Sequence, residues 1–293
     1  MDTFFQIADL IIKISLPANS NKAHMLPTFL PFEFEPIKSD IPDMYVDVKL
    51  EEYTYYDENA EVLTDVSTIV DYNFRLEETK TNYIVSIVET QFDSIFRMRS
   101  TKDFKHNTIY TTNECLDDFF RLKWMLMAAF GQFALSQKRL LIHASAVLNA
   151  GSGYAFLGVS GTGKSTHSKL WLRHIPGSEL LNDDNPIIHI KDDGSVWIYG
   201  SPWSGKTNCY VNKAAPLKAI FRLEQYPENI LTPVEGKSAL FTLLPSGSAL
   251  TWNDILFQLM VDHMTLIIKK VKVYNLKCLP DKAASELSFN AIN

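Results

Sequence analysis

Residues 158–165 read Gly-Val-Ser-Gly-Thr-Gly-Lys-Ser and match G-x-x-x-x-G-K-[ST] at every fixed position. No other stretch limits so closely what the chain can fold into. Such a loop needs an apolar strand feeding it and a helix leaving it, and both are legible. Tyr154, Ala155, Phe156 and Leu157 precede it, and an amphipathic run over 164–174 carrying Leu170 and Trp171 follows. Gly158, Gly161 and Gly163 let the backbone bend round an anion with its N–H groups pointing inward, and the helix adds the positive end of its dipole. The pattern predicts that Lys164 reaches the β- and γ-phosphates of a nucleoside triphosphate and that Ser165 offers its hydroxyl to Mg²⁺. Ser160, Thr162 and Thr166 complete the expected cradle. Four fixed positions arise by chance in about one chain of this length per hundred, so the flanking strand and helix carry much of the weight.

Three further features fall near the loop. Asp183 and Asp184 stand 19 and 20 positions after Lys164, about the length in which a strand–loop–helix–strand unit brings the chain back beside the loop. One of the two can hold Mg²⁺, and the other can take the proton from an attacking hydroxyl. His143 lies in an apolar run, 140–148 (LLIHASAVL), expected to be a buried strand. A histidine there is ordinarily a core residue, but beside the loop strand it would contact Asp183 and set its pKa. The turn over 200–206 (GSPWSGK) ends on Lys206, either a surface charge or a cation brought to the transferring phosphoryl group.

The first half follows a different period. Val46, Val48 and Leu50 alternate with Asp47, Lys49 and Glu51, and Val70, Tyr72, Phe74 and Leu76 alternate with polar neighbours. Alternation of period two predicts strands with one buried face, and 82–89 and 92–98 continue an antiparallel meander. Phe119, Leu122, Leu126, Phe130 and Phe133 then recur at helical spacing, with Asn113 as cap and acidic residues in the first turn. The expected organisation is a β-rich domain over 1–115, a linking helix over 116–137 and a loop-bearing domain over 138–293.

Composition narrows the partners. With 28 basic and 34 acidic residues the net charge is −6, so no basic footprint for nucleic acid is visible. Cys115, Cys209 and Cys278 are odd in number and far apart, which suits ordinary thiols in a reducing compartment. The chain opens on Asp2 with no basic n-region, and its most apolar stretch, 124–135, is shorter than the ~20 residues that span a bilayer. A cytoplasmic protein without a membrane partner is expected; homo-oligomerisation stays open.

Taken together, His143-Ala-Ser-Ala-Val, 158–166 (GVSGTGKST), Asn182-Asp183-Asp184, 200–206, 216–225 (PLKAIFRLEQ) and 273–280 (VYNLKCLP) resemble the HPr kinase/phosphorylase-related proteins. These share a P-loop fold with phosphoenolpyruvate carboxykinases, and the resemblance covers about 140–287. It implies an α/β loop-bearing domain in a chain that is α+β overall. It also implies a histidine, here His143, interacting with Asp183, which activates a serine hydroxyl, while Asp184 assists Ser165 with the metal. The expected activity is transfer of phosphate from ATP or GTP, with Mg²⁺, to a serine of a protein or peptide. A nucleotide-sensing module and a small-molecule kinase are the alternatives.

Overall fold

The computed structural model describes residues 1–18, 20–53, 59–69, 72–89, 95–112, 119–205, 207–249 and 253–292. The chain is an α+β protein that divides into two compact units, Met1–Phe133 and Ala134–Asn293.

The first unit is built on one sheet. Its strands are β1 (Asp2–Ile7), β2 (Leu10–Ser15), β3 (Met44–Leu50), β4 (Glu61–Ile69), β5 (Tyr72–Glu78), β6 (Asn82–Glu89), β7 (Ile95–Thr101) and β8 (His106–Thr111), with a single helical turn, α1 (Lys22–Met25), after β2. Their spatial order is β1-β2-β3-β8-β7-β6-β5-β4. All neighbours run antiparallel except β2–β3 and β3–β8, which are parallel. The alternating residues sit as their period demands: Met44, Val46 and Val48 are buried while Asp47 and Lys49 face water. The loop at 79–81 closes on itself, with Thr79 N–H donating to the Asn82 carbonyl at 2.9 Å. Val70, Asp71 and 92–94 lie outside the described residues.

The β1–β2 hairpin has no counterpart in the sequence reading. Its two-residue turn is Ala8-Asp9, with φ of 49° and 64°. Both residues adopt the left-handed conformation of a type I′ turn, which usually selects Asn and Gly. Alanine there carries no turn signal, and the strain is held by a core in which Phe5, Ile7, Ile12 and Ile14 are at most 3% exposed.

The helix α2 (Phe119–Ser136) follows, and the cap expected at Asn113 lies outside the described residues. The second unit contains β9 (Arg139–Leu141), β10 (Ala144–Asn149), β11 (Ser152–Leu157), α3 (Lys164–His174), β12 (Glu179–Asp184), β13 (Ile187–Ile190), β14 (Val196–Tyr199), β15 (Ala214–Gln225), β16 (Ile230–Val234), α4 (Gly236–Leu243), α5 (Asp254–Ile267), β17 (Lys272–Cys278) and α6 (Lys282–Asn290). The long strand β15 joins two parts of one sheet. Its first residues pair with β14, and from Leu217 onward it pairs in parallel with β11 on one side, and from Ala219 with β17 on the other. β10 and β12 extend the part that holds β11, whereas β9 and β13 belong to the part that holds β14.

The single strand expected over 140–148 is therefore two. The chain leaves one part of the sheet at Leu141 and enters the other at Ala144, and it makes the same crossing at Asn185-Pro186 between β12 and β13. Proline at the second crossing lacks the N–H that a continuing strand would use. The two crossings are tied by Ile142 N–H donating to the Pro186 carbonyl at 3.2 Å. An apolar run of this composition gives no periodic sign of where a strand changes partners.

α3 packs on the sheet through an aromatic core of Tyr154, Phe156, Trp171, Phe221 and Tyr274. It is also clamped to α6. The Ser288 hydroxyl accepts from Trp171 Nε1 at 2.9 Å and lies 3.0 Å from His167 Nε2. His167 is 3% exposed, and burial pushes its imidazole down to about 4. Between pH 6.5 and 4 the unfolded chain binds a proton that the folded chain refuses. This group's share of stability is thus complete above pH 6.5 and is lost as pH falls to 4, by roughly 3 kcal/mol. Urea titrations at pH 7 and pH 4.5 should show a smaller acid loss in His167→Gln than in the wild type; equal losses would locate the acid sensitivity elsewhere. Among the described residues no helix is long and apolar enough to cross a membrane.

Candidate functional site: the loop after β11

The loop leaves the buried end of β11, turns over 158–163 and enters α3 at Lys164. Gly161 and Gly163 take positive φ of 84° and 100°, a conformation that a β-carbon would strain. Thr162 closes the turn from inside, its hydroxyl donating to the Val159 carbonyl at 2.5 Å. Val159, Ser160, Gly161 and Thr166 are exposed at the rim, and Ser165 is half-buried in the first turn of α3.

Lys164 does not extend into solvent. Its ammonium donates to the Gly158 carbonyl at 2.9 Å and lies 2.8 Å from His143 Nε2. Burial pushes this ammonium below the usual lysine range, and the charges of Asp184 and Asp183 work against that shift. On its other side His143 Nδ1 stands 3.1 Å from Asp184 Oδ1. One neutral tautomer serves both contacts, with Nδ1–H donating to the carboxylate and Nε2 accepting from the ammonium. Lys164, His143 and Asp184 thus form one chain of polar contacts.

This corrects the partner implied for His143, which meets Asp184 and not Asp183. The crossing between β9 and β10 is the reason. It lifts His143 out of the strand, leaving its side chain 42% exposed, and its N–H is held by the Ser246 carbonyl at 2.7 Å.

Asp183 points elsewhere. It lies directly opposite Ser145 in the β10–β12 register, and such pairs share a face of the sheet. Ser145 faces α3, because its hydroxyl lies 2.6 Å from that of Ser168. Asp183 therefore lies on the side of α3, whose first turn carries Ser165. It is 5% exposed, and its buried Oδ1 has no hydrogen-bond donor among the described residues. A buried carboxylate oxygen without a donor is costly and calls for a partner. A divalent cation shared with Ser165 fits that need, since Mg²⁺ takes few protein oxygens and fills its octahedron with water and phosphate. Among the described residues no group of three or more His, Cys, Asp or Glu could hold a metal by itself.

The sequence reading gave no role to the residues that fix the aspartates. Asn182 is fully buried. Its Oδ1 accepts from the N–H of Asp184 at 3.0 Å and of Asn185 at 2.8 Å. Its Nδ2 donates to the Ser201 hydroxyl and the Trp203 carbonyl at 3.2 and 3.1 Å. Asn185 Nδ2 donates to Asp184 Oδ2 at 2.8 Å. The turn at 200–205 folds inward against this hub, with Trp203 1% exposed. Gly205 lies so close that a β-carbon would stand 2.9 Å from the Asp183 carbonyl. Lys206, the expected cation at the end of this turn, lies outside the described residues. Cys209 and Cys278 are free thiols, and burial pushes the Cys209 thiol up to about 11.

No family model matches this chain, and no curated protein matches it. Among solved structures it is similar to the Hpr(Ser) kinase/phosphatase from Coxiella burnetii, at 12% identity and a TM-score of 0.31, over 51% of this chain and 93% of that one.

Proposed function

We propose that residues 134–293 bind a nucleoside triphosphate with Mg²⁺ at the 158–166 loop and transfer its γ-phosphoryl group to a hydroxyl, a serine of a protein or peptide. The observation that carries this reading is the contact chain from Lys164 through His143 to Asp184, set at the mouth of a loop whose sequence is that of a phosphate cradle.

In this reading Lys164 and the loop amides hold the β- and γ-phosphates. Asp184 is the proton acceptor. Its side chain is 32% exposed, so an arriving hydroxyl can reach it, and His143 and Asn185 fix its two oxygens. As the hydroxyl oxygen bonds to the γ-phosphorus, its proton passes to Asp184, and the bond from phosphorus to the β–γ bridging oxygen breaks to release the diphosphate. Asp183 and Ser165 are the side chains fitted to Mg²⁺, which when bound neutralises charge on the phosphate oxygens. This exchanges the roles that the sequence resemblance implied for the two aspartates. A module that only senses nucleotide needs a metal ligand but no oriented, accessible base, which favours transfer over sensing. The exposed rim at Val159, Ser160 and Gly161 leaves room for an acceptor carried on a larger molecule.

The test is incubation of the protein with γ-labelled ATP, Mg²⁺ and a cell extract. Label is expected on a protein or peptide as acid-stable phosphoserine. Label confined to small molecules would move the acceptor class. An absence of any transfer or hydrolysis by protein that binds ATP would favour the sensing reading. Asp183→Asn should raise the Mg²⁺ needed for half-maximal turnover severalfold; an unchanged titration would return the metal role to Asp184.

A further inference from the structure

The parallel strands β11, β15 and β17 end on the same side of their sheet. A pocket of about 680 Å³ lies outside those ends, where open α/β sheets bind their ligands. The loop itself forms one side through Gly161, Thr162 and Gly163, and α3 adds Thr166 and Leu170. The residues that follow β15 and β17 supply the rest, chiefly Tyr226, Pro227, Leu279 and Pro280. Neither Lys164 nor His143 lines it. A nucleotide whose terminal phosphates reach Lys164 therefore has its nucleoside end free to lie here.

We infer that this pocket receives the base and ribose of the nucleotide, and that its chemistry selects adenine. This rests on the phosphate-loop reading above. The walls are mostly apolar, as suits a planar heteroaromatic ring, and few polar groups are left to orient it. Tyr226 is 39% exposed, and Lys277 Nζ lies 4.8 Å from its ring centre. A ring already held against one cation offers a stacking surface at little ordering cost. The walls are also tied in place: Leu279 N–H donates to Asn229 Oδ1 at 2.8 Å, and Tyr226 N–H donates to the Cys278 carbonyl at 3.2 Å. The choice of base follows from Gln225. Gln225 lines the pocket, and its amide nitrogen donates to the Gly161 carbonyl at 3.1 Å, so the amide oxygen is the part of this side chain left to accept. Adenine presents an exocyclic amine to an acceptor where guanine presents a carbonyl.

Calorimetry with Mg²⁺ and four probes, ATP, GTP, CTP and inorganic tripolyphosphate, separates this inference from the reading beneath it. The full chain should bind ATP at least tenfold more tightly than tripolyphosphate or CTP, and about fivefold more tightly than GTP. Tyr226→Ala should erase most of the ATP advantage while leaving tripolyphosphate affinity unchanged, which also shows that the loop is folded. Leu279→Asn, on the other wall and likewise exposed, gives an independent reading. Tripolyphosphate binding as tightly as ATP, GTP preferred to ATP, or both variants keeping the wild-type preference would overturn the assignment of the pocket with the loop intact. If no probe binds, the phosphate loop itself is misread and the inference goes with it.

Discussion

Asp184→Asn should leave nucleotide affinity within a few-fold of the wild type and slow phosphoryl transfer at least a hundredfold. The substitution keeps the shape of the side chain and removes its capacity to take a proton. General-base assistance typically contributes ~10²–10⁴ in rate, or roughly 3–5 kcal/mol of barrier. The surroundings of Asp184 suit the comparison. Both carboxylate oxygens are held by side chains, at 3.1 Å by His143 and 2.8 Å by Asn185. An amide can keep its oxygen on His143 Nδ1–H, and the Asn185 side chain can turn its own oxygen to the new amide nitrogen, so the imidazole keeps its tautomer and the fold has no reason to move. His143→Ala should cost less, and the double variant should lose no more than Asp184→Asn alone, because residues acting as one unit do not add. Single-turnover transfer to the identified acceptor, beside calorimetry of ATP binding, decides the matter. Transfer by Asp184→Asn at the wild-type rate would remove Asp184 from the chemistry, and loss of binding in step with rate would make it a structural residue.

Lys164→Ala should act on both steps. Nucleotide affinity should fall more than tenfold, since a charge-assisted contact contributes ~1.5–3 kcal/mol. Transfer at saturating nucleotide should fall by a further ~10²–10³, the usual loss when a donor aimed at developing charge is removed. The ammonium is held inside the loop, on Gly158 and His143, and burial lowers its pKa. Equal ATP affinity in the two proteins, measured by calorimetry, would dismiss residues 158–165 as a phosphate site.

The contrast between the two lysines of the reading shows where sequence is informative. The place of Lys164 at the head of a helix was legible because a preceding apolar strand and a following amphipathic run agree, and the structure has both. Lys206 rested on a turn alone, and it lies outside the described residues. The spacing of the aspartate pair brings it back beside the loop, but it does not say which carboxylate meets His143. Which carboxylate meets His143 depends on the crossing at 142–143, and a continuous apolar run does not announce where a strand changes neighbours. The hub of Asn182, Asn185 and Ser201 was hidden for another reason. Asparagine and serine are the commonest turn residues, so their composition cannot distinguish a buried scaffold from a solvated loop. In the first half, alternation exposed β3 and β5, whereas the hairpin at Ala8-Asp9 was missed because its turn uses alanine.

The clamp on α3 sets the order in which the site can come into being during synthesis. The hydroxyl that closes on His167 belongs to a residue 121 positions further along the chain. At 5–20 residues per second, the ribosome takes roughly 6–24 s to cover that distance. The parallel strands on that side of the loop are late as well: β15, which pairs with β11, begins at Ala214, and β17, which pairs with β15, begins at Lys272. For that interval the glycine loop has only the antiparallel side of its sheet, β10 and β12. The motif that is read first is thus among the last parts of the second unit to acquire a shape.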